Sequence, residues 1–304
     1  MRLLTRSDFD GLICAVLLKE AGVMDEWVFV HPKDVQDGKV ACGPDDILAN
    51  VPYAPGCGLW FDHHTSEAER LGKIEFAGVS KPLASCARVI WEYYGGHARF
   101  PERFDEMLAY VDRCDSGDLR PEEVANPSGW ILLSFLMDPR TGLGRYRDYR
   151  ISNYQLMMRL VDLCRTESVA AILADPDVAE RVTRYFDQEE QFAAMLRARS
   201  KLIGKVLVID LRDQEEIYTG NRFSAYALFP EANVSVQVIW GKAKQNVVLT
   251  VGKSIFDRSN PTDIGRLMLS YGGGGHVNVG TCQVPEGQAE RTLADVLAVL
   301  NGDG

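Results

Sequence analysis

The stretch Trp60-Phe61-Asp62-His63-His64 follows the turn-rich run Pro52-Tyr53-Ala54-Pro55-Gly56-Cys57-Gly58. An apolar pair running into three polar side chains predicts a buried strand whose end presents them. In parallel α/β sheets the carboxyl ends of the strands line the ligand crevice, and carboxylate with imidazole suits divalent cations such as manganese or zinc. The chain has five histidines, at 31, 63, 64, 97 and 276, so an adjacent pair beside an aspartate singles this stretch out. A turn with one satisfied histidine is the plainer explanation, and company elsewhere decides between them.

There is such company. In Ser7-Asp8-Phe9-Asp10-Gly11 two aspartates at i and i+2 can converge on one ion, with Gly11 permitting a tight turn. Helix capping explains the same residues, since Ser and Asp are favoured N-caps and acids suit a first turn. Asp112-Arg113-Cys114-Asp115-Ser116-Gly117-Asp118 is either an exposed acidic loop or a third contribution to one metal site. Gly272-Gly273-Gly274-Gly275-His276 has more glycines than the one a helix cap needs. Backbone N–H groups bare of side chains approach an anion closely, and His276 adds a donor or a charge. Arg258, Arg266 and Lys253 lie near in sequence, and guanidinium pairs well with phosphate oxygens; a flexible loop beside a solvated face is the alternative.

These residues need strands and helices to hold them. Residues 2–6, 27–31 and 46–50 read as strands, as does the stretch ending at Asp62. Residues 12–21 read as an apolar helix, a second helix starts at Ser80-Lys81-Pro82, and residues 101–111 form a third. Strands alternating with helices predict an α/β fold with a mostly parallel sheet. From residue 149 to about 202 the periodicity is helical, which predicts a connector. Beyond it, residues 205–210 and 234–240 read as strands, the latter at period two, with a hairpin tip at Gly241-Lys242-Ala243-Lys244-Gln245. Helices over 261–271 and 288–300 and a strand over 280–284 complete a smaller α/β unit. The expected domains are residues 1–190, connector included, and 200–304.

At 304 residues, 46% hydrophobic and 25% charged, the chain is globular, and about two domains are expected at ~150 residues each. Polar residues from Thr5 to Asp10 follow the first four, so no signal peptide is expected. The longest early apolar run falls short of the ~18–20 residues of a membrane span, and a cytoplasmic protein is expected. Seven scattered cysteines without a Cys-x-x-Cys pair argue against a disulfide framework or a zinc knuckle. A net charge of −10 disfavours long duplex nucleic acid and anionic membrane as partners, but not a small anion in a locally basic cleft.

Taken in order, Asp8-Phe9-Asp10, Asp62-His63-His64, Asp115-Ser116-Gly117 and the Gly-Gly-Gly-Gly-His276 run resemble the motifs of the DHH-family phosphoesterases, which include single-strand exonucleases, oligoribonuclease/pAp phosphatases, family II pyrophosphatases and exopolyphosphatases. The resemblance spans nearly the whole chain and implies a DHH domain followed by a DHHA1-type domain, with the active site in the cleft between them. It implies that Asp8, Asp10, His63 and Asp115 are metal ligands, with Asp112 in reserve and Asn50 where the family has a bridging aspartate. It also implies that His64 lies near the scissile phosphate and Asp62 orients it, while Gly273, Gly274, Gly275, His276, Arg258 and Arg6 bind substrate. The chain departs from the family at Leu4, where many members have histidine, at Arg6 and at Asn50, so one metal position is weakened and one or two ions are expected.

The implied function is a phosphohydrolase using manganese, or magnesium in its place. Its substrate would be a small phosphorylated molecule: an oligoribonucleotide, a pAp-like nucleotide, a cyclic dinucleotide or polyphosphate. A weakened relative that binds a phosphorylated ligand as a regulator is the alternative. A homodimer contact through Trp130 to Leu136 competes with plain core packing of that segment.

Overall fold

The computed structural model describes residues 1–64, 67 and 70–302. They form two units, Met1–Asp118 with Pro127–Phe186, and Leu119–Asn126 with the chain from Asp187 onward. The first holds a five-stranded parallel sheet of β1 (Arg2–Arg6), β2 (Glu26–Val30), β3 (Asp46–Ala49), β4 (Leu59–Asp62) and β5 (Gly78–Ser80), in the order β2-β1-β3-β4-β5. Ile47, Leu48, Ala49, Trp60 and Phe61 are all within 1% of full burial, the near-continuous apolar run of strands covered on both faces.

The chain leaves β1 for β2 on one side and returns to β3 on the other, so the strand order reverses at β1. A crevice opens at the carboxyl ends of the strands at such a reversal. Because β1, β3 and β4 run parallel, their ends deliver Asp8 and Asp10, Asn50, and Asp62 to His64 to the same edge of the sheet.

Helix α1 (Phe9–Glu20) is buried from Phe9 to Leu18, as expected for a helix apolar all round. The short α2 (Pro32–Gln36) is peripheral, while α3 (Cys86–Tyr93), α4 (Asp105–Ser116), α6 (Gly129–Met137) and α7 (Asn153–Thr166) pack against α1. Helix α5 (Pro121–Ala125) belongs to the second unit, where the Asn221 amide donates to the Val124 carbonyl at 3.3 Å. Trp130 to Met137 is buried within the first unit, so core packing accounts for this segment.

The helical connector consists of α7, α8 (Val169–Ala174), α9 (Pro176–Asp187) and α10 (Glu189–Arg199). The second unit carries a mixed sheet, β10-β11-β9-β8-β7-β6. Its strands are β6 (Ser200–Ile203), β7 (Val206–Asp210), β8 (Val234–Trp240), β9 (Val247–Lys253), β10 (Gly274–His276) and β11 (Val279–Val284). Val206, Val236, Leu249 and Val251 form its core with Val296 of the last helix, α13 (Glu286–Asn301); α11 (Ser224–Leu228) and α12 (Ile264–Leu269) are short.

Four elements differ from the sequence expectation. Strands β5 and β6 have three and four residues, too few to show a period. The helix expected from Ser80 begins at Cys86, where the Ser85 hydroxyl accepts the Arg88 N–H at 3.0 Å. Helix α4 runs on to Ser116, so Asp112 and Asp115 are helical rather than in a loop. Among the described residues no helix is long and apolar enough to cross a membrane.

Candidate metal centre

Asp10 sits in the first turn of α1 and is 2% exposed. Its two carboxylate oxygens accept the backbone N–H groups of Cys86 (2.9 Å) and Ala87 (2.8 Å), which open helix α3. Asp10 therefore caps a helix in a different part of the chain and is fixed in place by it. On the next strand end but one, His63 Nδ1 lies 3.2 Å from the Leu83 carbonyl. A carbonyl only accepts, so Nδ1 carries the proton and Nε2 keeps its lone pair, the tautomer a metal requires.

That Nε2 is buried with no hydrogen-bond partner among the described residues. It lies 3.7 Å from Asp10 Oδ2 and 3.3 Å from Oδ2 of Asp115, in the last turn of α4. Ligand atoms of Asp10, His63 and Asp115 all fall within 4.8 Å of one another.

The electrostatics fit a cation. Burial, helped by the charges of Asp115 and Asp8, pushes the Asp10 carboxyl up to about 7 against the opposing pull of His63 and the Ala87 amide. Asp115 is raised too: first by desolvation, although 31% of its side chain meets solvent, and then by Asp8, with His63 pulling the other way. Two carboxylates that resist ionisation beside an acceptor nitrogen form a set that a divalent ion would relieve. One imidazole with two carboxylates suits manganese or magnesium better than a thiophilic metal.

Asp62, fully buried at the end of β4, holds His64 Nδ1 at 2.8 Å through Oδ1. Burial works against the charged imidazole of His64, but the hydrogen bond and charge of Asp62, with Asp115 and Asp10, raise it above its ordinary value. The two imidazoles lie edge to face, 4.2 Å between centroids.

The remaining predicted ligands are engaged differently. Asp8 is the N-cap of α1, accepting Gly11 N–H at 2.9 Å; it also accepts the Asn50 amide at 3.1 Å and pairs with Arg6 Nε at 2.8 Å. Asn50 has a φ of 56°, a left-handed conformation that asparagine tolerates, and its Oδ1 is buried without a partner among the described residues. Asp112 stands apart from the cluster of three. Its Oδ2 takes Arg88 Nε (2.9 Å) and Nη2 (2.6 Å), and its Oδ1 takes the Ser85 hydroxyl at 2.6 Å.

In the second unit the glycine run is an ordered hairpin strand rather than a flexible loop. A Cβ at Gly273 would meet the Thr281 carbonyl oxygen at 2.1 Å, and one at Gly275 the Val279 oxygen at 2.2 Å; Gly274 is open. Close backbone packing thus accounts for two of the glycines. His276 ends β10 and is exposed, while Arg258 lies between β9 and α12. Sequence reasoning missed the backbone groups of Leu83, Cys86 and Ala87, because any residue type supplies them.

No protein-family model matches the chain, nor does any curated protein. Among solved structures, a pGpG-specific phosphodiesterase, PggH, from Vibrio cholerae is 48% identical over 100% of this chain and 99% of its own, with a TM-score of 0.84. The DHH domain of a member of a family of ribosomal proteins shares the fold at 12% identity, covering 97% of this chain and 86% of that one, TM-score 0.61. RecJ from Thermus thermophilus, in complex with manganese, shares it at 14% identity over 98% of this chain and 51% of its own, TM-score 0.51.

Proposed function

Because the chain belongs to the DHH family of phosphoesterases, being 48% identical over its full length to a phosphodiesterase of that fold, we propose that it hydrolyses the phosphodiester of a short linear dinucleotide of the pGpG type. The reaction class, metal-dependent hydrolysis of a phosphoester in a small substrate, follows from the family. The dinucleotide is supported by the specificity of that relative. The observation that carries the metal reading is the buried, unpartnered His63 Nε2 facing Asp10 and Asp115.

Asp10, His63 and Asp115 would hold the ion, and manganese is our choice. When bound, it neutralises phosphoryl oxygens and lowers the pKa of water. The protein's own groups do the rest. The Leu83 carbonyl holds the proton on His63 Nδ1, and the α3 amides fix Asp10. Asp62 orients His64 and favours its protonated form, so His64 can donate to a phosphate oxygen or to the departing oxygen.

We assign metal chemistry to residues 1–190 and substrate binding to residues 200–304, with Gly273 to His276 and Arg258 contacting phosphate oxygens. Engagement of Asp8 by Gly11, Asn50 and Arg6 supports one principal ion rather than two equal ones.

The test is to strip the purified protein of metal, titrate it with manganese and follow cleavage of pGpG. One tight site is expected, with turnover that stops in chelator and in His63→Ala. One bound manganese without cleavage would replace this reading with that of a ligand-binding regulator.

A further inference from the structure

We propose that Arg6 grips the phosphate undergoing cleavage and supplies positive charge that the metal cluster by itself lacks. The inference rests on the phosphohydrolase reading above and gives that reaction a further catalytic residue.

Charge balance sets the need. The ionised carboxylates of Asp10 and Asp115 together cancel the charge of one divalent ion, and a protonated His64 is balanced by Asp62 at 2.8 Å. Asp8, whose charge is felt by both Asp10 and Asp115, leaves the site negative. A phosphodiester carries its own negative charge, and more develops on the phosphoryl oxygens during transfer, so a fixed cation facing them is favoured. Arg6 offsets Asp8 and is placed to face them.

Backbone contacts fix Arg6 at this centre. It is the last residue of β1, and its carbonyl packs so closely on Gly11, the residue after Asp10, that no Cβ fits there. The Thr5 hydroxyl, one residue earlier, donates to the Gly11 carbonyl at 3.4 Å. Thr5 and Ala49 are the last partners of β1 and β3, so Arg6 and Asn50 leave the sheet side by side. The Asn50 N–H donates to the Phe61 carbonyl at 3.2 Å, two residues before His63. That carbonyl also accepts the thiol of Cys86 at 3.2 Å, the residue whose N–H holds Asp10. Arg6 thus adjoins the contacts that position Asp10 and His63.

The guanidinium is oriented but not closed off. Its Nε lies 2.8 Å from Asp8 Oδ2, and Asp8 is itself fixed through Oδ1 by the Gly11 N–H (2.9 Å) and the Asn50 amide (3.1 Å). Among the described residues neither Nη1 nor Nη2 of Arg6 has a hydrogen-bond partner. Arg88, by comparison, gives both Nε and Nη2 to Asp112. An arginine held at Nε presents its Nη1–Nη2 edge, a planar pair of donors that matches two phosphate oxygens. The Arg6 side chain is 37% exposed and that of Asp8 17%, so a ligand reaches the guanidinium while the carboxylate that orients it stays largely covered. The charge of Arg6 also reaches Asp115, where it opposes the upward push of Asp8.

Binding of GMP and of guanosine, which lacks the phosphate, to the manganese-loaded protein tests this in the parent, Arg6→Ala and Arg6→Lys. Calorimetry verifies metal loading of each and thermal melts verify folding. The parent is expected to favour GMP, and Arg6→Ala to lose about tenfold to a hundredfold of that preference, the worth of hydrogen bonds between charged groups. Arg6→Lys, which keeps charge but not the fork, should retain part of it. Cleavage of pGpG should fall by about a hundredfold to a thousandfold in Arg6→Ala and recover in part when free guanidinium is added, which a merely structural role would not allow. A parent with no preference for GMP, or a preference unchanged in Arg6→Ala, overturns the proposal. If the preference depends on Arg6 but the parent does not cleave pGpG, the phosphate contact stands and the hydrolase reading falls.

Discussion

Asp10 makes the stability of the metal-free protein depend on pH in a direction opposite to that of an ordinary salt-bridged carboxylate. Its native carboxyl titrates at about 7, against an ordinary value of 3.8. A carboxyl raised on folding binds its proton more tightly in the native state. Its contribution is therefore most favourable at low pH, declines as pH rises from about 4 to about 7, and is flat above that. At ~1.4 kcal/mol per unit, the full window corresponds to a loss of about 4 kcal/mol. Carboxylates lowered by ion pairs, such as Asp46 with Arg2 and Asp177 with Arg150, change in the opposite sense as pH falls, so the parent alone does not isolate the effect. Asp10→Asn does, because it removes the titration while leaving an oxygen for the α3 amides. In chelator, urea unfolding followed by tryptophan fluorescence should show Asp10→Asn gaining on the parent by about 3 kcal/mol between pH 5 and 8. Saturating manganese should reverse the ranking at pH 8, since the ion binds the ionised form. A difference between the two proteins that stays level from pH 5 to 8 in chelator would refute this account of the cluster.

Asp112→Asn should destabilise the protein by about 1–3 kcal/mol, because it weakens a carboxylate that accepts from both Arg88 and Ser85. Manganese stoichiometry by calorimetry should not change; a lost ion at unchanged stability would return Asp112 to the ligand set. Gly273→Ala should destabilise the second unit by ~1–3 kcal/mol, since its Cβ meets the Thr281 backbone at 2.1 Å. Gly274→Ala, with nothing within 4 Å, should melt within about 0.5 kcal/mol of the parent, and equal melting of the two variants would contradict the packing described.

The parallel sheet was legible because β1, β3 and β4 are short apolar runs that each end in polar residues. Asp10, His63 and Asp115 were reached through ordered motifs, and the structure brings them together. The preference for Asp115 over Asp112 came from the resemblance of Asp115-Ser116-Gly117 to a family motif; periodicity and composition alone could not make it, because it depends on helical phase. With α4 extending through both, residues three apart sit on overlapping faces, and only Arg88 and Ser85 show which carboxylate is already engaged. The glycine run was visible, but its close packing under Thr281 and Val279 was not, since it arises from residues that become neighbours only on folding.

The five residues from Leu83 to Ala87 hold Asp10, in the first turn of α1, and His63, just past the end of β4, and do so through main-chain atoms: the Leu83 carbonyl and the Cys86 and Ala87 amides. Natural variation can thus replace these side chains without releasing either ligand, provided the backbone path is kept. A single-residue insertion or deletion between Leu83 and Ala87 would pull the carbonyl and the amides out of step. Selection on this segment acts on its length, and aligned relatives should differ here in letters while agreeing in spacing.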